Sequence, residues 1–328
     1  MLLNLRKSKE SSRDWHFSKI VNTSNVKAQK IDLKKYIESP TLNQGEVGFC
    51  HSFASAAIKN AQERIETGIP YELSPLYIAK KAKEIDGLPN DEGTDLLTIC
   101  KVLKKYGTIE EKYYPFEQYV PGSVKFPNVK DEEKLEKFKI GNYARVDTLE
   151  DLKVALNMGK YVLIGIQVTN DIYSLKDYKG KDIPMLPFDP NGRLKIIGGH
   201  AIVGVADCPE VNGILCKNSW GPTYGINGFF YIPYEYFTFK TKDIGFSMVM
   251  DMFATIDIEN DPIKADIMEF YIGSSEASVK GKRYEFTQPP KIDKETNRTV
   301  IGLRDISEIF GCDVYWDDAQ KKITVVKK

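Results

Sequence analysis

Apolar positions in the first half of the chain repeat with the spacing of helices. Between residues 49 and 67 they recur at intervals of three and four, which marks one helical face, and Gly68 ends that helix. Ser74-Pro75 has the form of an N-cap followed by proline at the first helical position, and it opens a helix to about Ile85. A third helix fits Asp95 to Tyr106. The first half is therefore predicted to be mostly helical.

The pattern changes after about residue 145. One more helix fits Thr148 to Met158, and Pro, Gly and charged residues from Tyr173 to Arg193 predict a long surface loop. Short apolar segments rich in Val, Ile, Tyr and Phe predict strands at 161–168, 200–205, 214–217 and 228–232. Helices followed by strands predict an α+β fold with two lobes and a cleft between them.

The two ends of the chain differ from its middle. Residues 1–31 are polar and mixed in charge, which predicts an extension or arm ahead of a main domain at 32–256. Residues 268–328 predict a small α+β module of about 60 residues, near the lower limit for independent folding. Its expected elements are a helix and two strands: Arg304–Phe310, Asp313–Trp316 and Lys322–Val326.

Composition excludes several classes of protein. Lys+Arg and Asp+Glu are both 46, so the chain lacks the basic excess of nucleic-acid binders. No apolar run approaches the ~20 residues that span a bilayer. The start, MLLNLRKSKE, is too quickly charged for a secretory signal, so a cytoplasmic location is favoured over non-classical release or cell-surface association. Five cysteines without a CxxC pair and only three histidines predict no metal site, and no cofactor is expected.

Candidate chemistry begins at Cys50, which is predicted to stand at the start of a helix. A helix N-terminus favours a thiolate, the nucleophilic form of cysteine. Gln44, six residues earlier, can donate an N–H to a developing oxyanion. For a lone cysteine the alternative, a buried core residue, is the better interpretation.

The remaining thiols and histidines have simpler interpretations. His51 points about 100° around the helix from Cys50, so it is expected to be a packing or cleft-rim residue. His16 is expected to be solvated. Buried structural thiols are the default for the other cysteines, which are Cys100, Cys208, Cys216 and Cys312.

The second half supplies partners for Cys50. His200 heads an apolar strand 150 residues later, and Asn218 follows after a further 18 residues, two positions before Trp220. A Cys–His pair provides a nucleophile and its base, and a third polar group can orient the imidazole. An Asn oxygen does this without adding charge, while a neighbouring Trp shields the hydrogen bond from water.

In this order and local sequence the chain resembles the papain-like cysteine peptidases. The resemblance covers about Asp32 to Asp251 and is carried by Asn43-Gln44-Gly45, Cys50 with Ser52-Phe53-Ala54, Leu73-Ser74, Tyr114-Pro115-Phe116, Gly199-His200-Ala201, Asn218-Ser219-Trp220-Gly221 and Gly228-Phe229-Phe230. It implies a two-lobe fold with a helical lobe and a β-barrel-like lobe. It also implies that Cys50 is the nucleophile, His200 the base and Asn218 its orienting group, with Gln44 and the Cys50 N–H as the oxyanion hole and Trp220 over the Asn–His pair.

The resemblance also implies subsites. Gly93 matches a glycine whose backbone pairs with substrate beside the S2 pocket, and Ala201 would line that pocket. Glu92 replaces the first glycine of a Gly-Gly pair, which is a departure at the same place.

Other departures concern the surroundings of the nucleophile. The family has a cysteine at the position of Val47, disulfide-bonded to a residue near Asn90, and both cysteines are missing here, as in a reducing compartment. Phe49 replaces a small residue and His51 replaces a tryptophan. The family's inhibitory propeptide is much longer than the 31 residues available, so the enzyme is either made active or its short arm covers the cleft.

The C-terminal module resembles the copper amine oxidase N-terminal-like domain, which is common on bacterial proteins. The resemblance is carried by Gly281-Lys282, Phe286, Pro289-Pro290, Asn297-Arg298-Thr299, Leu303-Arg304, Ile306-Ser307-Glu308, Gly311, Val314 and Trp316. The name implies no copper here, since no histidine follows His200. A stabilising role and a binding role, toward a cell-surface component or another protein, both stay open.

The leading functional hypothesis is a cysteine endopeptidase that acts on protein or peptide substrates through a thioester. Two alternatives come from other classes: a catalytically weak papain-fold binding or scaffold protein, and a Cys-dependent amidase acting on cell-wall peptides. The intact Cys50, His200 and Asn218 set favours the peptidase, whereas the unusual Phe49, His51 and Glu92 mildly favour the scaffold.

Overall fold

The fold is seen in a computed structural model that describes residues 3–11, 14–21, 32–191, 194–240, 247–256, 268–270, 272–279, 282–295, 298–309, 312–317 and 322–327. The chain divides into two compact units, Met1–Glu259 and Asn260–Lys328.

The α-helices in the described residues of the first unit are α1 (Phe17–Ile20), α2 (Leu33–Ile37), α3 (Cys50–Thr67), α4 (Pro75–Lys83), α5 (Leu96–Lys105), α6 (Leu149–Asn157) and α7 (Tyr234–Thr238). Capping residues mark the start of α4 and the end of α3. Ser74 accepts the Tyr77 N–H at the start of α4. Gly68 adopts the left-handed conformation, with φ 74°, and closes α3. The four predicted long helices are confirmed, although α4 ends at Lys83 rather than near Ile85.

Six strands form one antiparallel sheet in the order β1-β6-β2-β3-β4-β5. They are β1 (Asn142–Arg145), β2 (Val162–Val168), β3 (Gly198–Cys208), β4 (Gly213–Lys217), β5 (Phe229–Pro233) and β6 (Val249–Ile256). Ile166 of β2 lies opposite His200 of β3, which fixes the register beside the candidate site. The four predicted strands are confirmed, and β3 extends beyond its predicted end. Strands β1 and β6 were not predicted.

The core joins the helices to the sheet. Helix α3 packs against β3 and against the helices α2, α4 and α5. One buried cluster spans both layers and includes Ala54, Ile58, Leu103, Leu163 and Val203. Burial of such side chains is the main favourable term in folding, at about 1.5–3 kcal/mol each. The architecture is α+β, as the sequence predicts.

Two predictions about the surface need correction or refinement. His16 is not simply solvated, because its Nδ1 lies 2.7 Å from Asp147 Oδ2 and its side chain is only 27% exposed. The segment 173–191 carries no long helix or strand, in line with the predicted loop. It is nevertheless tied down, since Leu175 and Leu186 are buried and the Leu186 N–H donates to Tyr231.

In its described residues, the second unit holds short antiparallel strands and one helix. Its elements are β7 (Met268–Phe270), β8 (Glu276–Val279), β9 (Lys282–Glu285), β10 (Lys291–Asp293), β11 (Arg298–Val300), α8 (Leu303–Ile309), β12 (Cys312–Asp317) and β13 (Lys322–Lys327). Strands β7, β8 and β9 form one sheet, and β12 pairs with β13. Helix α8 packs on β12. The predicted helix and the last two strands are confirmed, apart from Phe310, which lies outside the described residues.

Candidate active site

Cys50 is the first residue of α3, and aromatic packing holds that end of the helix. The Phe49 ring lies 4.8 Å from the Tyr119 ring and 5.9 Å from the Phe126 ring. One turn later, Phe53 meets Phe116 edge-on at 4.8 Å. Such pairs add to the free energy of area burial and restrict ring orientation. The bulky Phe49 therefore fixes the first turn of the helix rather than disturbing it.

Cys50 faces strand β3. Burial raises the pKa of the Cys50 thiol to about 11, and hydrogen bonds from the backbone of Ala201 and His51 partly oppose that shift. The thiol therefore lies beside the residue that follows His200. Cys50 and His200 are both fully buried. Helix α3 packs on strand β3, whose Ala201 contacts the thiol through its backbone.

Asn218 determines which nitrogen of His200 carries the hydrogen. Its Oδ1 accepts the Ser219 backbone N–H at 2.8 Å, so this atom is an acceptor. His200 Nε2 lies 2.8 Å from the same oxygen and must donate to it. Nδ1 is then the proton-accepting nitrogen, and it has no hydrogen-bond partner among the described residues. Burial lowers the His200 pKa to about 4, while the bond to Asn218 acts in the opposite direction.

Trp220 covers the imidazole. The two ring centroids are 4.8 Å apart and tilted by 41°. Tyr173 stacks on the indole at 5.6 Å and 12°, and Tyr224 meets it edge-on at 5.1 Å. Only 6% of Trp220 is exposed, so these rings keep water from the His200–Asn218 hydrogen bond.

Gln44 is tied to the segment that carries Asn218. Its Oε1 accepts the Ser219 hydroxyl at 2.7 Å, and its backbone N–H donates to the Ser219 carbonyl at 2.9 Å. The Nε2 group donates to Val47 O at 2.9 Å. That bond uses one of the two amide N–H groups, and the amide can direct the other toward a bound oxygen.

His51 packs inside the protein, as predicted. It is fully buried; its Nε2 donates to the Glu92 carbonyl at 3.1 Å, and its Nδ1 accepts from Ser52 Oγ at 2.9 Å. Burial lowers its pKa to about 4, so the ring is neutral near pH 7.

The N-terminal arm runs along the groove beside these residues. The Leu5 N–H donates to Gly199 O at 3.1 Å, and the Gly199 N–H donates to Leu3 O at 3.2 Å. On the opposite side, the Arg6 N–H donates to Thr94 O at 3.0 Å. Residues 3–6 therefore pair with both walls as an extended strand.

The arm's side chains approach the predicted substrate-binding positions. A Cβ added at Gly93 would lie 2.3 Å from the Asn4 backbone oxygen, so only glycine permits this approach. One added at Gly48 would lie 2.5 Å from Nδ2 at the end of the Asn4 side chain. Leu5 is 5% exposed and belongs to the same buried cluster as Leu96 and Ala201. Gly93 and Ala201 thus lie along the walls of the groove that the arm fills.

Polar contacts hold the arm and the Gly93 segment together. Asp91 accepts the Gly93 N–H at 2.8 Å and forms an ion pair with Arg6, while Lys83 donates to Gly93 O at 2.6 Å. Further along, the Ser8 N–H donates to buried Asp251 at 2.6 Å. The sequence singled out neither Asp91 nor Asp251, because isolated carboxylates carry no spacing signal.

Comparison with known proteins identifies the relatives of this arrangement. Residues 27–244 match the papain family of cysteine proteases, and residues 252–325 match the copper amine oxidase N-terminal domain. The chain belongs to the papain family. It is therefore a cysteine peptidase, a hydrolase whose substrates are proteins or peptides.

Curated papain-family relatives come from distant organisms. An uncharacterised peptidase C1-like protein of Acanthamoeba polyphaga mimivirus is 27% identical over 278 residues, which cover 75% of this chain and 85% of the viral protein. Cysteine proteinase 3 of Dictyostelium discoideum is 24% identical over 59% of this chain and 55% of its own length. Chymopapain of Carica papaya is 26% identical over 61% and 53%, respectively. The chain thus spans about half the length of these last two relatives.

Solved structures confirm the papain-like fold. Xylellain, a cysteine protease from Xylella fastidiosa, superposes with a TM-score of 0.61 at 23% identity and covers 78% of this chain and 96% of its own. The proform of Amb a 11, a ragweed pollen cysteine protease, superposes with a TM-score of 0.55 at 21% identity, covering 76% of this chain and 72% of its own. In the described part of the chain, no helix is long and apolar enough to cross a membrane.

Proposed function

We propose that the protein is a cysteine endopeptidase in which Cys50 is the nucleophile and His200 the base. His200 Nδ1 takes the thiol proton, and the thiolate attacks the carbonyl carbon of a peptide bond. Gln44 and the Cys50 backbone N–H donate to the resulting oxyanion. The C–N bond breaks as His200 returns its proton to the leaving amine, which leaves a thioester.

Water completes the reaction. His200 Nδ1 takes a proton from a water molecule as its oxygen attacks the thioester carbonyl. The C–S bond then breaks, the carboxylic acid leaves, and the proton on His200 restores the thiol. The observation that supports this proposal is that Asn218 Oδ1 accepts hydrogen bonds from the Ser219 N–H and from His200 Nε2. With its hydrogen on Nε2, the His200 ring has Nδ1 available to accept the thiol proton.

The test replaces the thiol and compares it with another cysteine. In a chain whose arm is released by Leu5→Asp, we expect Cys50→Ala to abolish both peptide hydrolysis and labelling by a thiol-reactive peptide epoxide. Cys208→Ala, made in the same chain, is the matched control: this cysteine is also buried, at the end of β3, and its replacement should retain both activities. Unchanged turnover in Cys50→Ala would remove Cys50 from the mechanism.

The alternative functions give different outcomes in one further assay. A library of protein-derived peptides and cell-wall peptides separates them when it is incubated with the chain, and epoxide titration of a separate sample gives the concentration of active sites. Cleavage of internal bonds in ordinary peptides supports the endopeptidase, and cleavage confined to cell-wall peptides supports the amidase. Titration without turnover on either set supports the scaffold protein.

We also infer that the full chain is a latent form, with residues 3–8 acting as the arm that covers the cleft. The arm pairs with the backbone of both walls and places Leu5 in the same buried cluster as Ala201. A substrate needs the same groove if Gly93 and Ala201 bind it. Hydrolysis therefore requires the arm to leave.

A further inference from the structure

Glu92 is a buried carboxylate with both oxygens in use. Only 4% of the residue is exposed. Its Oε2 accepts the Gly48 N–H at 2.6 Å, while Oε1 accepts the Tyr119 hydroxyl and the Gly122 N–H, each at 2.7 Å. These three donors are neutral groups, and all three hydrogen bonds are short.

These bonds join three separate parts of the chain. Gly48 lies two residues before Cys50, Gly122 belongs to the loop after Tyr119, and Glu92 itself precedes Gly93 in the cleft wall. The main chain of Glu92 adds a fourth contact, because its carbonyl accepts the His51 Nε2–H at 3.1 Å. One residue thus links the wall that carries Gly93 to both sides of the nucleophile.

The Tyr119 hydroxyl is a secure donor in this arrangement. Burial and the neighbouring Glu92 carboxylate both raise the pKa of Tyr119, so its proton remains in place. The Tyr119 ring also packs on Phe49 and Phe126, which immobilises the first turn of α3. The carboxylate therefore sits at the junction of an aromatic cluster and the active-site segment.

We propose that Glu92 is a positioning residue that holds the Gly48–Cys50 segment against the Gly93 wall. Val47, the residue before Gly48, is buried. The Gly48–Glu92 hydrogen bond links the Gly48–Cys50 segment directly to the wall that carries Gly93. This bond therefore keeps the Cys50 N–H and thiol in a fixed position relative to the carbonyl group of a bound substrate. This inference rests on the proposed role of Cys50.

The test variant is Glu92→Leu, which fills much of the same volume but removes both acceptor oxygens. The Gly48 N–H then loses its partner whichever rotamer the new side chain adopts. Tyr119→Phe is the matched control, since it removes one donor, keeps the ring packing and leaves the Gly48 bond intact. All variants are made in the full chain carrying Leu5→Asp. This change puts a carboxylate in the apolar site of Leu5 and favours release of the arm, so that the arm does not limit the rate.

Two measurements report on positioning. Turnover per active site, normalised by epoxide titration of a separate sample, should fall about tenfold or more in Glu92→Leu, mainly in kcat, and stay within about twofold in Tyr119→Phe. Hydrogen exchange at the Gly48 amide should accelerate about tenfold or more in Glu92→Leu alone. A merely structural role would lower the titratable fraction and the melting temperature but not the turnover per titrated site.

The outcomes separate this inference from the proposed function. Unchanged turnover per site in Glu92→Leu, or an equal loss in Tyr119→Phe, overturns the positioning role. Unchanged Gly48 exchange overturns the cross-link itself. Turnover that persists in Cys50→Ala instead contradicts the proposed nucleophile, whatever the Gly48 exchange shows.

Discussion

The His200–Asn218 pair shows how a single residue decides protonation. Asn218 Oδ1 receives two hydrogen bonds, one from its own neighbour's backbone and one from His200. An aspartate there would also accept both but would add a negative charge. A neutral acceptor orients the imidazole while leaving its basicity to the surroundings.

Asn218→Ala should therefore lower kcat about 10- to 100-fold with a smaller effect on KM. The Nε2 hydrogen loses its acceptor, so the ring can rotate or change tautomer, and Nδ1 no longer faces the thiol reliably. Steady-state kinetics, normalised by epoxide titration of a separate sample, measures the effect. A variant with wild-type kcat would show that Asn218 does not orient His200.

Two buried neutral histidines predict acid sensitivity. Burial lowers the pKa of His51 and of His200 to about 4. The unfolded chain, with a histidine pKa near 6.5, binds more protons between these values, so stability falls as pH drops from about 6.5 toward 4. Each histidine then costs about 2 kcal/mol at pH 5.

His51→Gln should lose less stability than the wild type between pH 7 and pH 5. Glutamine can still donate to the Glu92 carbonyl but takes up no proton in this range. Urea unfolding at the two pH values measures the difference. An identical pH dependence in both proteins would show that His51 is not the group that titrates.

For single residues, the sequence predicts which residues form the site better than it predicts the contacts that those residues make. The spacing of Cys50, His200 and Asn218, with the residues around them, points to one site. Nothing in the sequence indicates that Asp91 would contact both Gly93 and Arg6, or that Glu92 would accept three donors, because these contacts depend on loops that meet only after folding.

Among the elements, the arm has the clearest functional consequence. Leu5→Asp should increase the rate of Cys50 labelling by iodoacetamide at least tenfold, because a carboxylate in the apolar site of Leu5 favours release of residues 3–8. The matched control is Lys7→Asp, at an exposed position of the same segment. Equal labelling rates in Leu5→Asp and the wild type would contradict latency.

Arm release should also change the pH dependence of labelling. Burial is the main cause of the raised pKa of Cys50 and the lowered pKa of His200. Opening the groove to water favours the charged forms, so the thiolate should appear at lower pH in Leu5→Asp. The apparent pKa from labelling rates between pH 4 and pH 10 measures this shift, and an unchanged profile would contradict it.

Elements with local signals were predictable, whereas those with distant partners were not. The caps at Ser74 and Asp95 mark α4 and α5 in the sequence itself. Strand β6 carries Asp251 among apolar residues, which weakens its strand pattern. That carboxylate is tolerated in the interior because Arg145 of β1 pairs with it at 2.6 Å and the Ser8 N–H donates to it.

For the whole molecule, the two compact units predict separable activity. All residues proposed to act in catalysis or substrate binding lie in the unit Met1–Glu259. Truncation after Glu259 should therefore leave turnover per titrated site within about twofold of the full chain. A folded truncated chain with more than a tenfold loss would assign a catalytic contribution to the C-terminal unit.

A cleft occupied by a covalently attached segment behaves differently from one blocked by a separate inhibitor. Tethering gives residues 3–8 a local concentration on the order of millimolar, whatever the amount of protein in solution. Dilution therefore cannot start the enzyme, and a small peptide must compete against that local concentration. Release has to come from a change in the arm or in its contacts, such as cleavage of the arm or its capture by another surface.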